Sequence, residues 1–228
     1  MNQLKQRLDK IHARIRQSEH DFGHDTESVH LLAVSKTRPA DDIRAVYACG
    51  QRDFGENYLQ EAMHKIKALH DLAIHWHFIG PIQSNKTLTI AENFDWVHSV
   101  DRLKIAHRLS EQRPTELAPL NICLQVNISN EVSKSGISST EAIETAQEIK
   151  TLPNLRLRGL MAIPSPSTDL ITQRQPFRQL RELLEAMNQQ NDMSLDTLSM
   201  GMSGDMEAAI AEGATWVRIG TDIFGQRN

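Results

Sequence analysis

The sequence has little of what marks secreted, membrane-spanning or nucleic-acid-binding chains. Its 228 residues include two cysteines, Cys49 and Cys123, and no Cys-x-x-Cys pair, so a disulfide framework is excluded. No apolar run approaches the roughly 18 residues of a membrane-spanning helix, and residues 1–5 contain no apolar signal region. The net charge of −4 leaves no basic stripe for nucleic acid. We therefore expect a cytoplasmic protein that binds neither membranes nor nucleic acid.

An amphipathic helix is predicted at the start of the chain, over residues 2–20. Leu4, Leu8, Ile11 and Ile15 recur there at helical spacing, with charged residues between them. Because such a helix buries one apolar face, we expect it to cover part of a hydrophobic core.

Eight short apolar runs then alternate with helical patterns. Asp101 is expected to cap the helix after the fourth run, and Pro176 to begin the helix after the sixth. The alternation predicts an α/β fold, namely a single (β/α)8 TIM barrel over residues 1–228 with an extra N-terminal helix. A doubly wound open sheet is the alternative. The predicted strands lie at 31–36, 52–55, 75–80, 95–100, 121–127, 156–162, 195–200 and 216–220.

A lysine stands at the end of the first predicted strand, Leu31-Leu32-Ala33-Val34-Ser35-Lys36. In a barrel of this kind the active site lies at the C-terminal ends of the strands, so Lys36 should lie at its mouth. Lysine is seldom fully buried unless something pairs with it or uses it. Lys36 therefore either extends to solvent or serves as a desolvated amine that forms a Schiff base with an aldehyde.

Small and hydroxyl-bearing residues follow the seventh and eighth predicted strands, as Ser203-Gly204 and Gly220-Thr221. Barrels often bind a phosphate group after these two strands. Ordinary helix capping is the alternative reading of each pair. A phosphate bound there would be adjacent to strand one, so an aldehyde on the same ligand could reach Lys36. Pyridoxal 5′-phosphate (PLP) has this chemistry, and a sugar phosphate in a Schiff-base aldolase has it too.

Arg218 helps to choose between the two ligands. It lies two residues before Gly220, so both face the same side of a strand. A guanidinium group stays protonated and only donates hydrogen bonds, so opposite a pyridine nitrogen it would keep that nitrogen an acceptor. The alternative is an arginine paired with a carboxylate that the sequence does not reveal.

His75 and His77 are the strongest candidates for a metal site. They lie two residues apart on a predicted strand and so share one face. A catalytic zinc site usually has three protein ligands, and the spacing indicates no third one. We therefore predict no metal site.

Blocks in consistent order carry a resemblance that covers about residues 4–225. On these blocks the chain resembles the YggS/PROSC family of pyridoxal-phosphate-binding proteins, also called pyridoxal phosphate homeostasis proteins. The resemblance implies the barrel of the fold-type III enzymes such as alanine racemase, with PLP as cofactor. The matching blocks are 33–37, 54–61, 77–86, 126–127 with 134–136, 159–161, 198–205 and 217–221.

The resemblance also implies residue roles. Lys36 would form the Schiff base with PLP, and Arg218 would face the pyridine nitrogen. Position 38 departs from the pattern, because it is Arg where many relatives have Lys. The phosphate would be held by Ser203, Gly204, Gly220 and Thr221, and the ring pocket would be lined by Asn57, Met161, Ser199 and Met200.

A carrier of PLP is favoured over an enzyme. Fold-type III racemases use a second acid–base group, often a tyrosine from a two-domain dimer, whereas Tyr47 and Tyr58 both lie in predicted helical segments. An arginine at the ring nitrogen also makes the ring a poor electron sink. We expect a monomeric protein of intracellular PLP homeostasis that could supply PLP-dependent apo-enzymes. The alternatives are a fold-type III amino-acid racemase and the Schiff-base aldolase.

Overall fold

The computed structural model describes residues 2–129, 131, 134–190 and 193–226. Its parallel strands close into a barrel in sequence order, and the last strand pairs with the first from His30↔Trp216 to Ala33↔Ile219. This closure confirms the predicted barrel and excludes the open sheet. The strands are β1 (His30–Val34), β2 (Asp53–Glu56), β3 (His75–Phe78), β4 (Trp96–Val100), β5 (Leu120–Gln125), β6 (Leu155–Met161), β7 (Thr197–Ser199) and β8 (Trp216–Ile219).

Helices follow the strands and cover the outside of the barrel. Within the described residues, no helix is both long enough and apolar enough to cross a membrane. A 3-10 turn at Ser84–Lys86 precedes the fourth helix. The helices are α1 (Asn2–Asp21), α2 (Ala40–Ala48), α3 (Leu59–Ala68), α4 (Thr87–Asn93), α5 (Leu103–Gln112), α6 (Ser139–Ile149), α7 (Leu170–Gln190), α8 (Met206–Ala211) and α9 (Thr221–Phe224).

Helix α1 is the predicted opening helix, and it packs against α2, α8 and α9. Leu8, Ile11 and Ile15 are almost wholly buried, as their spacing predicts. On the same helix the Arg14 guanidinium pairs with Glu207 at 2.7 Å and with Asp222 at 2.8 Å. The helix is therefore joined to the segments that follow β7 and β8.

The predicted cap of α5 is wrong. The N-cap residue is Arg102, and its side chain makes no capping hydrogen bond. Asp101 lies one residue too early, and its Oδ1 accepts a hydrogen bond from the Arg102 guanidinium at 2.6 Å.

The predicted start of α7 is also wrong, because the helix begins at Leu170 and contains Pro176. Asp169 caps it instead: its Oδ2 accepts the backbone N–H of Thr172 at 2.8 Å and the Thr172 hydroxyl at 2.6 Å. Pro176 lacks an N–H for the helical ladder, and the cap begins the helix upstream of it.

Candidate functional site

A cavity of about 290 Å³ lies at the C-terminal ends of the strands. Seven of the predicted site residues line this cavity. They come from the ends of four strands, β1, β2, β7 and β8. These seven are Lys36, Asn57, Ser203, Gly204, Arg218, Gly220 and Thr221.

Three other predicted site residues lie outside that lining. Met161 is fully buried at the end of β6, and Met200 is fully buried directly after β7. Ser199 is also fully buried, and its hydroxyl lies against the Arg218 guanidinium at 2.9 Å. Direct contact of these three with a cofactor stays a prediction.

Sequence reasoning missed several lining residues. In the predicted strand 31–36, Val34 lies two residues before Lys36 and so was expected on the same side, which is the signal that could have found it. Ile79 follows the third strand, at a position where barrels place site residues. The missed lining residues are Val34, Arg38, Ile79, Ile163, Met202 and Gly225.

Lys36 is half-buried, and the turn that carries it is tightly held. The N–H of Arg38 donates to the carbonyl of Ser35 at 3.1 Å, which closes the turn. Thr37 has a φ of +62°, a left-handed conformation that is costly for a β-branched residue. Its N–H donates to Glu61 Oε1 at 2.5 Å. These bonds fix the backbone on both sides of Lys36.

A buried ion-pair cluster lies beside this turn. The Lys65 ammonium group donates to the Ser35 carbonyl and to Glu56 Oε1, both at 2.7 Å, and to Glu61 Oε1 at 2.5 Å. The Ser35 hydroxyl donates to Glu56 Oε1 at 2.6 Å. Burial raises the pKa of the Glu56 carboxyl, although the Lys65 ammonium opposes the shift. The cluster ties α3 and β2 to the turn that presents Lys36.

Arg218 is buried, and neutral oxygens hold its guanidinium. Nη1 donates to the Ser199 hydroxyl at 2.9 Å, and Nη2 donates to the carbonyl of Ala162 at 3.0 Å. In the part of the chain that the structure describes, no carboxylate forms an ion pair with it. Burial lowers its pKa to about 10, so the group is still protonated at neutral pH. Its positive charge thus faces the cavity without a direct counter-ion.

The two glycine-containing segments border the cavity from adjacent strands. Ser203-Gly204 follows β7, and Gly220-Thr221 follows β8. A Cβ on Gly204 would meet no atom within 4 Å, so there is open space beside it. Two hydroxyl groups and two glycine backbones can therefore approach an anion from this side. The described residues include no cluster of three His, Cys, Asp or Glu side chains that could hold a metal ion.

The closed barrel of eight parallel strands places the chain among proteins with the fold of the alanine racemase barrel. The family model "Alanine racemase, N-terminal domain" matches residues 6–228. An alanine racemase of Clostridium difficile 630 has a TM-score of 0.75 at 10% identity, and the match covers 100% of this chain and 57% of that one. This second likeness concerns the fold alone.

More similar proteins specify the family. A pyridoxal phosphate homeostasis protein of Pseudomonas aeruginosa is 60% identical over 228 residues, covering 100% of this chain and 97% of that protein. The PLP-bound structure of PipY from Synechococcus elongatus PCC7942 has a TM-score of 0.87 at 37% identity, covering 98% of this chain and 100% of that one. The chain therefore belongs to the family of pyridoxal phosphate homeostasis proteins, which confirms the resemblance read from the sequence.

Proposed function

We propose that this protein binds PLP in the cavity, holds it as a Schiff base on Lys36, and serves intracellular PLP homeostasis without catalysing a reaction of its own. The observation that carries the proposal is one cavity lined by an amine, a buried arginine and two glycine–hydroxyl segments. The names of the relatives support the same ligand and the same role. Transfer of PLP to apo-enzymes by a monomer is part of the proposal.

The residues of the cavity suit each part of this ligand. Ser203, Gly204, Gly220 and Thr221 can surround a phosphate, and Lys36 is the amine on the neighbouring strand. The Asn57 Oδ1 is buried and has no hydrogen-bond partner among the described residues, so a donor on a bound ring would satisfy it.

Bound PLP supplies an aldehyde to which an amine can attach reversibly. Lys36 would provide that amine from a backbone turn that the Glu61 carboxylate holds in place. Arg218 can only donate a hydrogen bond to the ring nitrogen, which would leave this nitrogen unprotonated. The residues around the cavity thus favour attachment and orientation over withdrawal of electrons from a substrate.

The absence of a second acid–base group supports a carrier. Among the described residues that line the cavity there is no Tyr, His, Cys, Asp or Glu. Tyr47 lies in α2 against the Arg52 guanidinium, and Tyr58 precedes α3 with about half of its surface exposed. Stereochemical inversion of an amino acid needs proton transfer on both faces of its α-carbon, and Lys36 can serve one.

The test is the visible absorption spectrum of the full-length protein with PLP added. We expect a Schiff-base band in the parent and in the Lys104→Ala variant, whose lysine is exposed on α5, and no such band in Lys36→Ala. Borohydride reduction followed by peptide mass analysis should place the label on Lys36. A parent without a band, or a band that Lys36→Ala retains, would contradict the proposed attachment.

Carrier and racemase are separated by two further measurements. The loaded protein should reactivate a PLP-dependent apo-enzyme, and it should exchange no α-proton of L-amino acids with deuterium from the solvent. Lys36-dependent deuterium exchange into one amino acid would instead establish the fold-type III racemase.

A further inference from the structure

A column of polar side chains crosses the interior of the barrel below Arg218. The Ser199 hydroxyl contacts His98 Nδ1 at 2.7 Å, His98 Nε2 contacts His77 Nδ1 at 2.9 Å, and His77 Nε2 contacts Asp53 Oδ1 at 3.1 Å. Because β4 and β7 are not neighbours in the barrel, the contact between His98 and Ser199 spans its interior. Branched aliphatic side chains usually fill this space. Neither histidine lines the cavity.

Aromatic rings enclose the two histidines. His77 stacks on Trp96 with ring centroids 5.7 Å apart, and His98 meets Trp216 edge-on at 6.2 Å. Both histidines are fully buried, and burial lowers the pKa of each, that of His98 to well below its usual range. Both imidazoles are therefore neutral at pH 7, so each has one nitrogen that donates and one that accepts.

The direction of every hydrogen bond in the column follows from Asp53, the residue at its lower end. Although burial opposes the shift, hydrogen bonds from His77 and His75 hold the pKa of Asp53 below its usual range, so this carboxylate only accepts. His77 must donate from Nε2, and its Nδ1 must accept from His98 Nε2. The remaining nitrogen, His98 Nδ1, then accepts a hydrogen bond from the Ser199 hydroxyl.

The upper end completes the same direction. The Ser199 hydroxyl donates its hydrogen bond to His98, so its oxygen accepts the hydrogen bond from Arg218 Nη1 at 2.9 Å. Each donor in the column therefore has one acceptor. The column runs from the guanidinium at the cavity to the carboxylate of Asp53, which lies at the start of β2 and so at the opposite end of the barrel. The column thus links a buried positive charge to a carboxylate at the far end without direct contact between them.

We propose that Ser199, His98, His77 and Asp53 are positioning residues that fix the Arg218 guanidinium for the ring nitrogen of PLP. The inference rests on the proposed function for the identity of the ligand. If the hydroxyl of Ser199 had no acceptor at His98, it could turn its hydrogen toward Arg218 Nη1, and the hydrogen bond from the guanidinium would be lost. The neutral His98 acceptor prevents this rotation, and the carboxylate of Asp53 sets the tautomers of both histidines.

The column itself can be tested in the protein without ligand. Nitrogen-15 NMR that correlates ring nitrogens with ring protons distinguishes the two neutral tautomers and the imidazolium. At pH 7 we expect His77 and His98 both to be neutral with the proton on Nε2. A proton on Nδ1 of either residue, or an imidazolium, would overturn the assigned direction.

Binding measurements test the action on Arg218. Ser199→Ala removes the hydroxyl oxygen next to the guanidinium, and Ser110→Ala removes one from a buried position of α5 outside the cavity lining and the column, which makes it the matched control. Loss of one hydrogen bond should weaken PLP binding roughly fivefold in Ser199→Ala. A carbocyclic analogue of PLP, with the ring nitrogen replaced by C–H, should bind parent and variant equally. Ser110→Ala should leave both affinities unchanged.

The outcomes separate this inference from the proposed function. Equal loss of affinity for both ligands in Ser199→Ala, or no loss for PLP, overturns the positioning role while PLP binding by the parent still stands. A parent that binds no PLP overturns the proposed function and the positioning role together, whereas the tautomers still report on the column. His98→Gln provides a second variant, because its amide can accept from Ser199 and donate to His77, so it should retain most of the affinity for PLP.

Discussion

Gly204 and Gly220 border the same cavity but differ in the space beside their α-carbons. A Cβ on Gly220 would lie 3.1 Å from the carbonyl oxygen of Val34, whereas a Cβ on Gly204 would meet no atom within 4 Å. The protein without ligand can therefore accept a methyl group at Gly204. That methyl group would occupy space in which we propose the phosphate binds.

We expect Gly204→Ala to weaken PLP binding by about tenfold, a change of ~1.4 kcal/mol. The free energy of unfolding should stay the same or rise slightly, because alanine restricts the unfolded chain. Titration with PLP and unfolding in urea measure the two quantities. Gly80→Ala is the contrast: its Cβ would lie 2.0 Å from the carbonyl oxygen of Asn57, so it should destabilise the fold itself. Unchanged affinity in Gly204→Ala would remove this glycine from the phosphate site.

Strand alternation predicts the orientation of a residue only within a strand, and the orientation of a buried residue just beyond a strand end does not follow from it. Arg218 lies within β8, and it lines the cavity as the alternation of the strand indicates. Strand β7 ends at Ser199, so alternation no longer governs Met200, which is buried away from the cavity lining. Only the closed barrel reveals that Ser199 meets the guanidinium from behind.

At the scale of elements, the contact between α3 and β2 depends on a buried ion pair. The Lys65 and Glu56 side chains are almost wholly buried and lie 2.7 Å apart. Removing one partner of such a pair leaves the other charge uncompensated, which typically costs about 3 kcal/mol or more. We expect Lys65→Met to lower the free energy of unfolding by about 3 kcal/mol in urea titrations.

A second substitution tests this explanation. Glu56→Gln added to Lys65→Met removes the charge that lost its partner, so the double variant should regain part of the lost stability. Arg44→Met breaks the exposed ion pair with Asp71 and should have a much smaller effect. If Lys65→Met unfolds no more easily than Arg44→Met, the ion pair does not stabilise this contact. The two variants that carry Lys65→Met should also weaken PLP binding, because Lys65 holds the carbonyl of Ser35 next to Lys36.

The order and type of these elements could be predicted more readily than their ends. Apolar periodicity predicted α7, but the presence of Pro176 moved its expected start six residues downstream of Leu170. The signal that decides the start is Asp169, whose carboxylate caps the helix in a run of polar residues that resembled a loop. A proline inside a helix costs one backbone hydrogen bond, and burial of Phe177, Leu180 and Leu184 along the helix compensates for it.

At the scale of the whole molecule, the barrel brings together residues that the sequence keeps far apart. His77 and His98 are 21 residues apart, and Ser199 lies 101 residues beyond His98. No local pattern predicts these contacts, because they depend on the closure of the sheet. The sequence could predict the architecture, Lys36 and the glycine segments, whereas the interior column required the folded barrel.

The buried histidines also make stability depend on pH. An unfolded histidine has a pKa near 6.5, and burial holds that of His98 well below this value in the folded protein. Below pH 6.5 the unfolded chain therefore binds a proton that the folded one does not, so stability is present in full above 6.5 and is lost as the pH falls. Burial also lowers the pKa of His77, so this histidine likewise makes the folded protein less stable as the pH falls. Glu56 and Asp205 make the folded protein more stable as the pH falls, because burial raises the pKa of both carboxyls.

A difference between variants isolates the contribution of His98. We expect the free energy of unfolding of the parent, relative to His98→Gln, to fall as the pH is lowered from 7 to 5, since glutamine cannot take up the proton. Each pH unit below 6.5 contributes up to about 1.4 kcal/mol to this fall for as long as the folded imidazole stays neutral. His107→Gln, at an exposed position of α5 outside the column, is the matched control for replacing a histidine with glutamine. Urea unfolding at fixed ionic strength measures all three proteins. If the free energies of unfolding of the parent and His98→Gln change in parallel with pH, His98 takes up a proton in the folded barrel as readily as in the unfolded chain. The assigned direction of the hydrogen bonds in the column forbids this.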